Sequence, residues 1–146
     1  MTITTELETR VEQLSPKQAW ELIQTDHRTV LVDVRSSMEF LFIGHAKGAI
    51  NVAWIDEPDW KINPNFVQEV RRVMLGGVAP HVDGVAPVML MCRSGHRSLE
   101  AGAALLDDGF ERVYSVTDGF EGPLDDEHHR SSTAGWRFER LPWEQC

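Results

Sequence analysis

Apolar positions along the chain change their spacing from block to block. Thr29-Val-Leu-Val-Asp-Val34 and Val88-Met-Leu-Met91 are nearly continuous apolar runs of strand length, the pattern of strands buried on both faces. Arg112-Val-Tyr-Ser-Val116 predicts a further strand, and Ala49-Ile-Asn-Val52 a shorter one. Between these runs the period becomes helical. Ser15-Pro16-Lys17-Gln18 offers a cap, a proline suited to the first turn and a capping-box glutamine. With Ala19, Leu22 and Ile23 on one face, it predicts a helix over 16–25. Asn63-Pro64 opens a second helical pattern, carried by Phe66, Val67, Val70, Val73 and Met74 through about Leu75 and stopped by Gly76-Gly77. Ser98 to Asp108, with Ala101, Ala104 and Leu105 on one side, predicts a third helix. Ser36 to Phe42 predicts a short one ending near Gly44, and the Gly- and Pro-containing stretch 76–86 a loop.

Strands alternating with helices imply an α/β domain with a mainly parallel central sheet and helices on both faces. The whole chain, 1–146, reads as one such domain without internal repeat, having a core over about 10–121 and a C-terminal extension over about 122–146. The extension carries Trp136, Leu141 and Trp143, which are expected to pin it to the domain.

The formal net charge of −9 disfavours nucleic-acid phosphates and anionic membranes as partners. The start, Met1-Thr-Ile-Thr-Thr-Glu, has neither a basic segment nor an apolar run, so a cytoplasmic location is expected. Two cysteines, Cys92 and Cys146, do not make a disulfide scaffold, and Cys146 at the chain end reads as a free thiol. The question is whether Cys92 is reactive.

Cys92-Arg93-Ser94-Gly95-His96-Arg97-Ser98 joins a buried strand to a helix. In a parallel α/β sheet such a loop lies outside the carboxyl ends of the strands, where ligands bind. Gly95 permits the curvature that turns backbone N–H groups inward, and the helix directs its positive end at the same point. Arg93 and Arg97 add permanent charge, and His96 is a further candidate. A cysteine in that setting is favoured as thiolate and faces a small anionic substrate.

This loop resembles the active-site loop of rhodanese-like sulfurtransferases. Val32-Asp33-Val34-Arg35 with Glu39-Phe40, and Gly44-His45-Ala46-Lys47-Gly48-Ala49-Ile50-Asn51, resemble two upstream motifs of that family, with Ala46 in place of the usual Ile. Gly109-Phe110, Val113-Tyr114 and Asp118-Gly119-Phe120 resemble its last strand and turn, with Asp118 in place of the usual Gly. Gly135-Trp136-Arg137 and Leu141-Pro142-Trp143 resemble an extension found in a bacterial subgroup.

The resemblance implies a rhodanese-like fold and an enzyme that carries sulfur as a persulfide on Cys92. Its donor would be thiosulfate or a related small sulfur anion, and its acceptor cyanide or a thiol, including a protein thiol. Arg93, Ser94, Gly95, His96, Arg97 and Ser98 would form the substrate-binding loop, with Arg35 as a further substrate-binding candidate. No cofactor and no metal are implied. Two alternatives use the same fold: a non-catalytic regulatory or binding module, and a phosphatase or arsenate reductase. Only four residues separate Cys92 from Arg97, and Met91 precedes the cysteine; both features differ from the related phosphatases, which have five residues and a preceding His.

The remaining polar candidates have plainer readings. Asp33 and Arg35 suit a strand-end ion pair, His45 a loop brace, and His128-His129 an exposed position rather than a metal site. Trp54 and Trp60 read as packing residues, with a pocket wall as the alternative.

Overall fold

The computed structural model describes residues 3–77 and 86–145. In chain order these are α1 (Ile3–Arg10), β1 (Glu12–Leu14), α2 (Pro16–Thr25), β2 (Val30–Asp33), a π-helical turn (Glu39–Ile43), β3 (His45–Ala46), β4 (Ile50–Asn51), β5 (Ile55–Asp56), β6 (Lys61–Ile62), α3 (Phe66–Gly77), β7 (Val88–Met91), α4 (Arg97–Asp107), β8 (Val113–Val116) and β9 (Trp143–Glu144). Five strands form a wholly parallel sheet in the order β1-β8-β7-β2-β4. The two apolar runs are its centre: Val32 is opposite Leu90 and Asp33 opposite Met91. Asp33, Met91 and the residues after them therefore lie at the same end of the sheet.

Alternation along the central strands divides the core in two. Val32, Val88, Leu90 and Val113 face one side, where α1, α3 and α4 supply Leu7, Phe66, Val70, Leu99 and Leu105. Leu31, Met89, Met91 and Val116 face the other, covered by Ala19 and Trp20 of α2 and by the C-terminal extension through Trp136. Helices on both faces are as the sequence predicts.

The helix over 16–25 has the predicted start, with Ser15 Oγ accepting from Gln18 N–H and Gln18 Oε1 accepting from Ser15 N–H. Helix α3 runs through the two glycines expected to stop it, to Gly77; residues 78–85 of the predicted loop lie outside the described residues, as does Cys146. The short helix after Ser36 is a π-helical turn. Helix α1 and strand β1 are not anticipated by the apolar pattern; β1 is a three-residue edge strand with two exposed positions. Trp54 is buried, its Nε1–H donating to Glu100 and its ring edge-on to Phe66. Trp60, by contrast, is 57% exposed, which corrects its reading as packing. Trp136 is fully buried, edge-on to Trp20 at 6.1 Å between ring centroids, with Nε1–H donating to the Pro142 carbonyl. The extension is thereby held on the α2 face.

Candidate active site

The Cys92 loop follows β7, the central strand, and runs straight into α4. Cys92 is 1% exposed, with its sulfur beneath the loop. Gly95, at φ 106, brings its N–H to 3.1 Å from Cys92 Sγ. A side chain at Gly95 would meet the backbone of Asp118 at 3.2 Å, so glycine is required both by conformation and by close approach. Ser98, in the first turn of α4, lies 3.4 Å from Cys92 Sγ through its hydroxyl, and Ser98 Oγ is 2.6 Å from Ser115 Oγ on β8. Helix α4 opens at His96 without a side-chain cap, which leaves its first N–H groups and its positive dipole end to the loop.

The loop is held from outside by the segment after β8. Phe120 N–H donates to the Cys92 carbonyl at 2.8 Å, and Glu121 and Gly122 N–H both donate to the Arg93 carbonyl, at 3.0 and 3.1 Å. With these carbonyls turned outward, Gly95 N–H is directed to the sulfur. Gly119 makes the approach possible: a Cβ there would lie 2.3 Å from the Cys92 carbonyl oxygen, and its φ is 61.

The predicted loop residues occupy distinct positions. Arg93, Ser94 and His96 are exposed, and Arg93 makes no ion pair among the described residues. His96 Nε2 is 3.6 Å from Glu100. Arg97 is half-buried and forked onto Glu39, at 3.0 and 3.1 Å. Burial alone would raise the Glu39 carboxyl, but the Arg97 guanidinium, aided by Ser36, outweighs it and holds that carboxyl below its ordinary range. Burial likewise opposes the charge on Arg97, and Glu39 more than restores it.

Arg35, the further substrate-binding candidate, does not reach the loop surface. It is fully buried, donating to both carboxylate oxygens of Asp33 and to the Gly44 carbonyl, with its guanidinium 4.6 Å from the Phe120 ring centroid. Asn51 Nδ2–H donates to the Asp33 and Arg35 carbonyls. The upstream motifs thus form a brace behind the loop, and the ion-pair reading of Asp33 and Arg35 is the one the geometry displays. His45 belongs to the same brace, with Nδ1 2.9 Å from the Phe40 carbonyl and its ring stacked on Phe40. His128 and His129 are exposed, and the described residues contain no metal-binding cluster. No helix among them is long and apolar enough to cross a membrane.

Two residues of the site are absent from the candidates read from sequence. Glu39 stands out in the sequence only as part of a motif; its partner is 58 residues away, and no local spacing reveals the pair. Ser115 carries a signal, a serine inside a strand otherwise made of Val and Tyr.

The model of the rhodanese-like domain matches residues 15–125. A thiosulfate sulfurtransferase GlpE of Actinobacillus pleuropneumoniae is 32% identical over 110 residues, covering 75% of this chain and 83% of that protein. Its counterpart from Haemophilus influenzae is 29% identical, covering 76% and 86%. The crystal structure of Rv0390 from M. tuberculosis is similar with a TM-score of 0.78 and 37% identity, covering 93% of this chain and 98% of that one. This chain, with its five-stranded parallel sheet and its cysteine loop at the strand ends, belongs to the rhodanese-like domain family.

Proposed function

We propose that the protein is a sulfurtransferase that moves a sulfane sulfur from thiosulfate, or a related small anion, to a thiophilic acceptor through a persulfide on Cys92. The observation that carries this reading is the sulfur of Cys92 at the carboxyl end of the central strand, accepting from Gly95 N–H at 3.1 Å beside the uncapped start of α4. Such a setting stabilises negative charge on sulfur in the thiolate and in the persulfide.

The first displacement has the Cys92 thiolate attack the outer sulfur of thiosulfate. A new S–S bond forms, the S–S bond of the donor breaks, and its electron pair leaves with sulfite. In the second, the carbon of cyanide or the sulfur of a thiolate attacks the outer persulfide sulfur. The Cys92 S–S bond breaks and its electron pair returns to Cys92. Splitting transfer into two displacements is nucleophilic catalysis.

Arg93, exposed and without an ion pair among the described residues, is suited to meet the incoming sulfonate. Arg97 contributes positive charge from the rim, shared with Glu39. The four-residue spacing from Cys92 to Arg97 argues against a tetrahedral phosphate or arsenate in the same loop. The cytoplasm is the compartment proposed for the reaction, since a persulfide enzyme needs its thiol reduced.

The test is thiosulfate:cyanide turnover, read as thiocyanate formation. Wild-type protein is expected to turn over, and Cys92→Ser, which keeps the side-chain shape but cannot hold a persulfide, is expected to be inactive with an unchanged fold. Turnover retained by Cys92→Ser overturns the assignment of Cys92.

A further inference from the structure

Behind the Cys92 sulfur lies a pair of hydroxyls that the transfer chemistry described above does not use. Ser98 Oγ is 3.4 Å from Cys92 Sγ and 2.6 Å from Ser115 Oγ, and all three residues are buried. Ser98 is in the first turn of α4, whereas Ser115 stands on β8, adjacent to β7 in the sheet. Two separate elements therefore deliver the two hydroxyls to one sulfur.

The hydrogens of this row can be counted. A serine hydroxyl has one hydrogen to donate and two lone pairs to accept with. The row of sulfur, Ser98 Oγ and Ser115 Oγ has two links. With Cys92 as a thiol there are three hydrogens for two links, and one is left without an acceptor in a buried place. With Cys92 as a thiolate there are two hydrogens for two links. The same count holds for the persulfide, whose inner sulfur bears no hydrogen.

The single partner of Ser115 limits the directions the row can take. Among the described residues its hydroxyl has one partner, Ser98 Oγ. Neither hydroxyl has a further partner among the described residues, so a Ser115 hydrogen donated to Ser98 leaves the Ser98 hydrogen for the sulfur. A hydroxyl that is itself accepting a hydrogen bond is a stronger donor. A buried hydroxyl hydrogen without a partner is costly.

We infer that Ser115 is a positioning residue that commits the Ser98 hydroxyl to donate to Cys92, so that the row favours sulfur without a hydrogen. This rests on the sulfurtransferase reading only in taking Cys92 as the reacting group. Without the Ser115 hydroxyl, the donation from Ser98 to the sulfur loses the polarisation that the second hydroxyl lends it.

The experiment is alkylation of the intact protein by iodoacetamide as a function of pH, with the modified peptides resolved by mass so that Cys92 is followed apart from Cys146. The reaction involves no sulfur donor. Ser115→Ala is expected to shift the Cys92 alkylation profile to higher pH and to slow alkylation at neutral pH by roughly three- to tenfold, the fold-change equivalent of one neutral hydrogen bond. Ser98→Ala is expected to shift it at least as far. Ser115→Thr, which keeps the hydroxyl, is expected to restore the wild-type profile. Ser115→Val, which matches threonine in shape without the hydroxyl, is expected to behave like alanine. The Thr and Val pair decides the matter even if Ser115→Ala does not fold.

A Ser115→Ala profile that superimposes on wild type overturns the inference, as does a Thr variant displaced as far as Val. Thiosulfate treatment distinguishes this from failure of the wider reading. If Cys92 gains sulfur while the Ser115 profiles do not move, the positioning role alone is wrong. If Cys92 gains no sulfur while the profiles move as expected, the positioning role stands and the sulfurtransferase reading falls.

Discussion

Arg93 and Arg97 carry the same charge four residues apart, yet their surroundings give them different work. Arg93 is exposed, and its guanidinium has no ion pair among the described residues. Arg93→Ala is expected to raise the KM for thiosulfate about tenfold, the worth of one charge-assisted contact, while stability stays within about 0.5 kcal/mol. Arg97→Ala strips Glu39 of its forked partner in a half-buried place. It is expected to cost about 1–3 kcal/mol of stability, because a half-buried carboxylate loses its charged partner, and to lower kcat/KM as well. Steady-state kinetics beside thermal melts separate the two. An unchanged KM in Arg93→Ala would show that Arg93 does not meet the donor. The Arg97–Glu39 pair also carries a pH signature. Because the folded Glu39 carboxyl sits below its ordinary value of 4.5, the pair contributes its full stability above that value and loses it as pH falls through the lower, folded value. Glu39→Gln is expected to lower Tm at neutral pH, with a deficit that narrows as pH falls below 4.5 and the wild-type carboxylate takes up its proton. A deficit independent of pH contradicts the role given to the charge.

At the scale of elements, the loop is shaped by its neighbour as much as by its own residues. The segment Gly119 to Gly122 grips the outward carbonyls of Cys92 and Arg93 through three N–H groups. Gly119→Ala adds a Cβ 2.3 Å from the Cys92 carbonyl oxygen at a φ of 61. Backbone must move, at an expected cost of about 2–3 kcal/mol, and the displaced loop is expected to lose about ten- to a hundredfold in kcat. Turnover and melting together check this; a variant that melts lower but keeps full turnover would show that the grip does not shape the loop. What the sequence made legible at this scale follows from local physics. Helix α2 announces itself because cap, proline and glutamine lie within four residues, and β2 and β7 because burial on both faces demands unbroken apolar runs. Strand β1 was hidden because an edge strand of three residues has no periodicity to read, and its exposed Glu12 and Gln13 pair with β8 through backbone alone. The commitment of Arg97 to Glu39 and the approach of Ser115 to Ser98 were hidden because each joins residues distant along the chain. The cysteine and its glycine were legible because their chemistry is packed into one short loop.

Across the whole molecule, the parallel sheet delivers the ends of β2 and β7 to the same edge, so that the Asp33–Arg35 brace and the Cys92 loop lie side by side. The extension closes the opposite face through Trp136 and returns as β9 along β3, near the brace at His45. A net charge of −9 offers no long-range attraction to an anionic donor, so recognition is assigned to the loop itself. The chemistry is therefore concentrated on one sulfur atom, and one measurement reads it directly. Purified protein is treated with thiosulfate, freed of excess donor, digested without reductant and weighed peptide by peptide. A gain of one sulfur atom is expected on the peptide containing Cys92, removed by cyanide and absent from Cys92→Ser. A Cys92 peptide of unchanged mass, or a sulfur found only on Cys146, would contradict it.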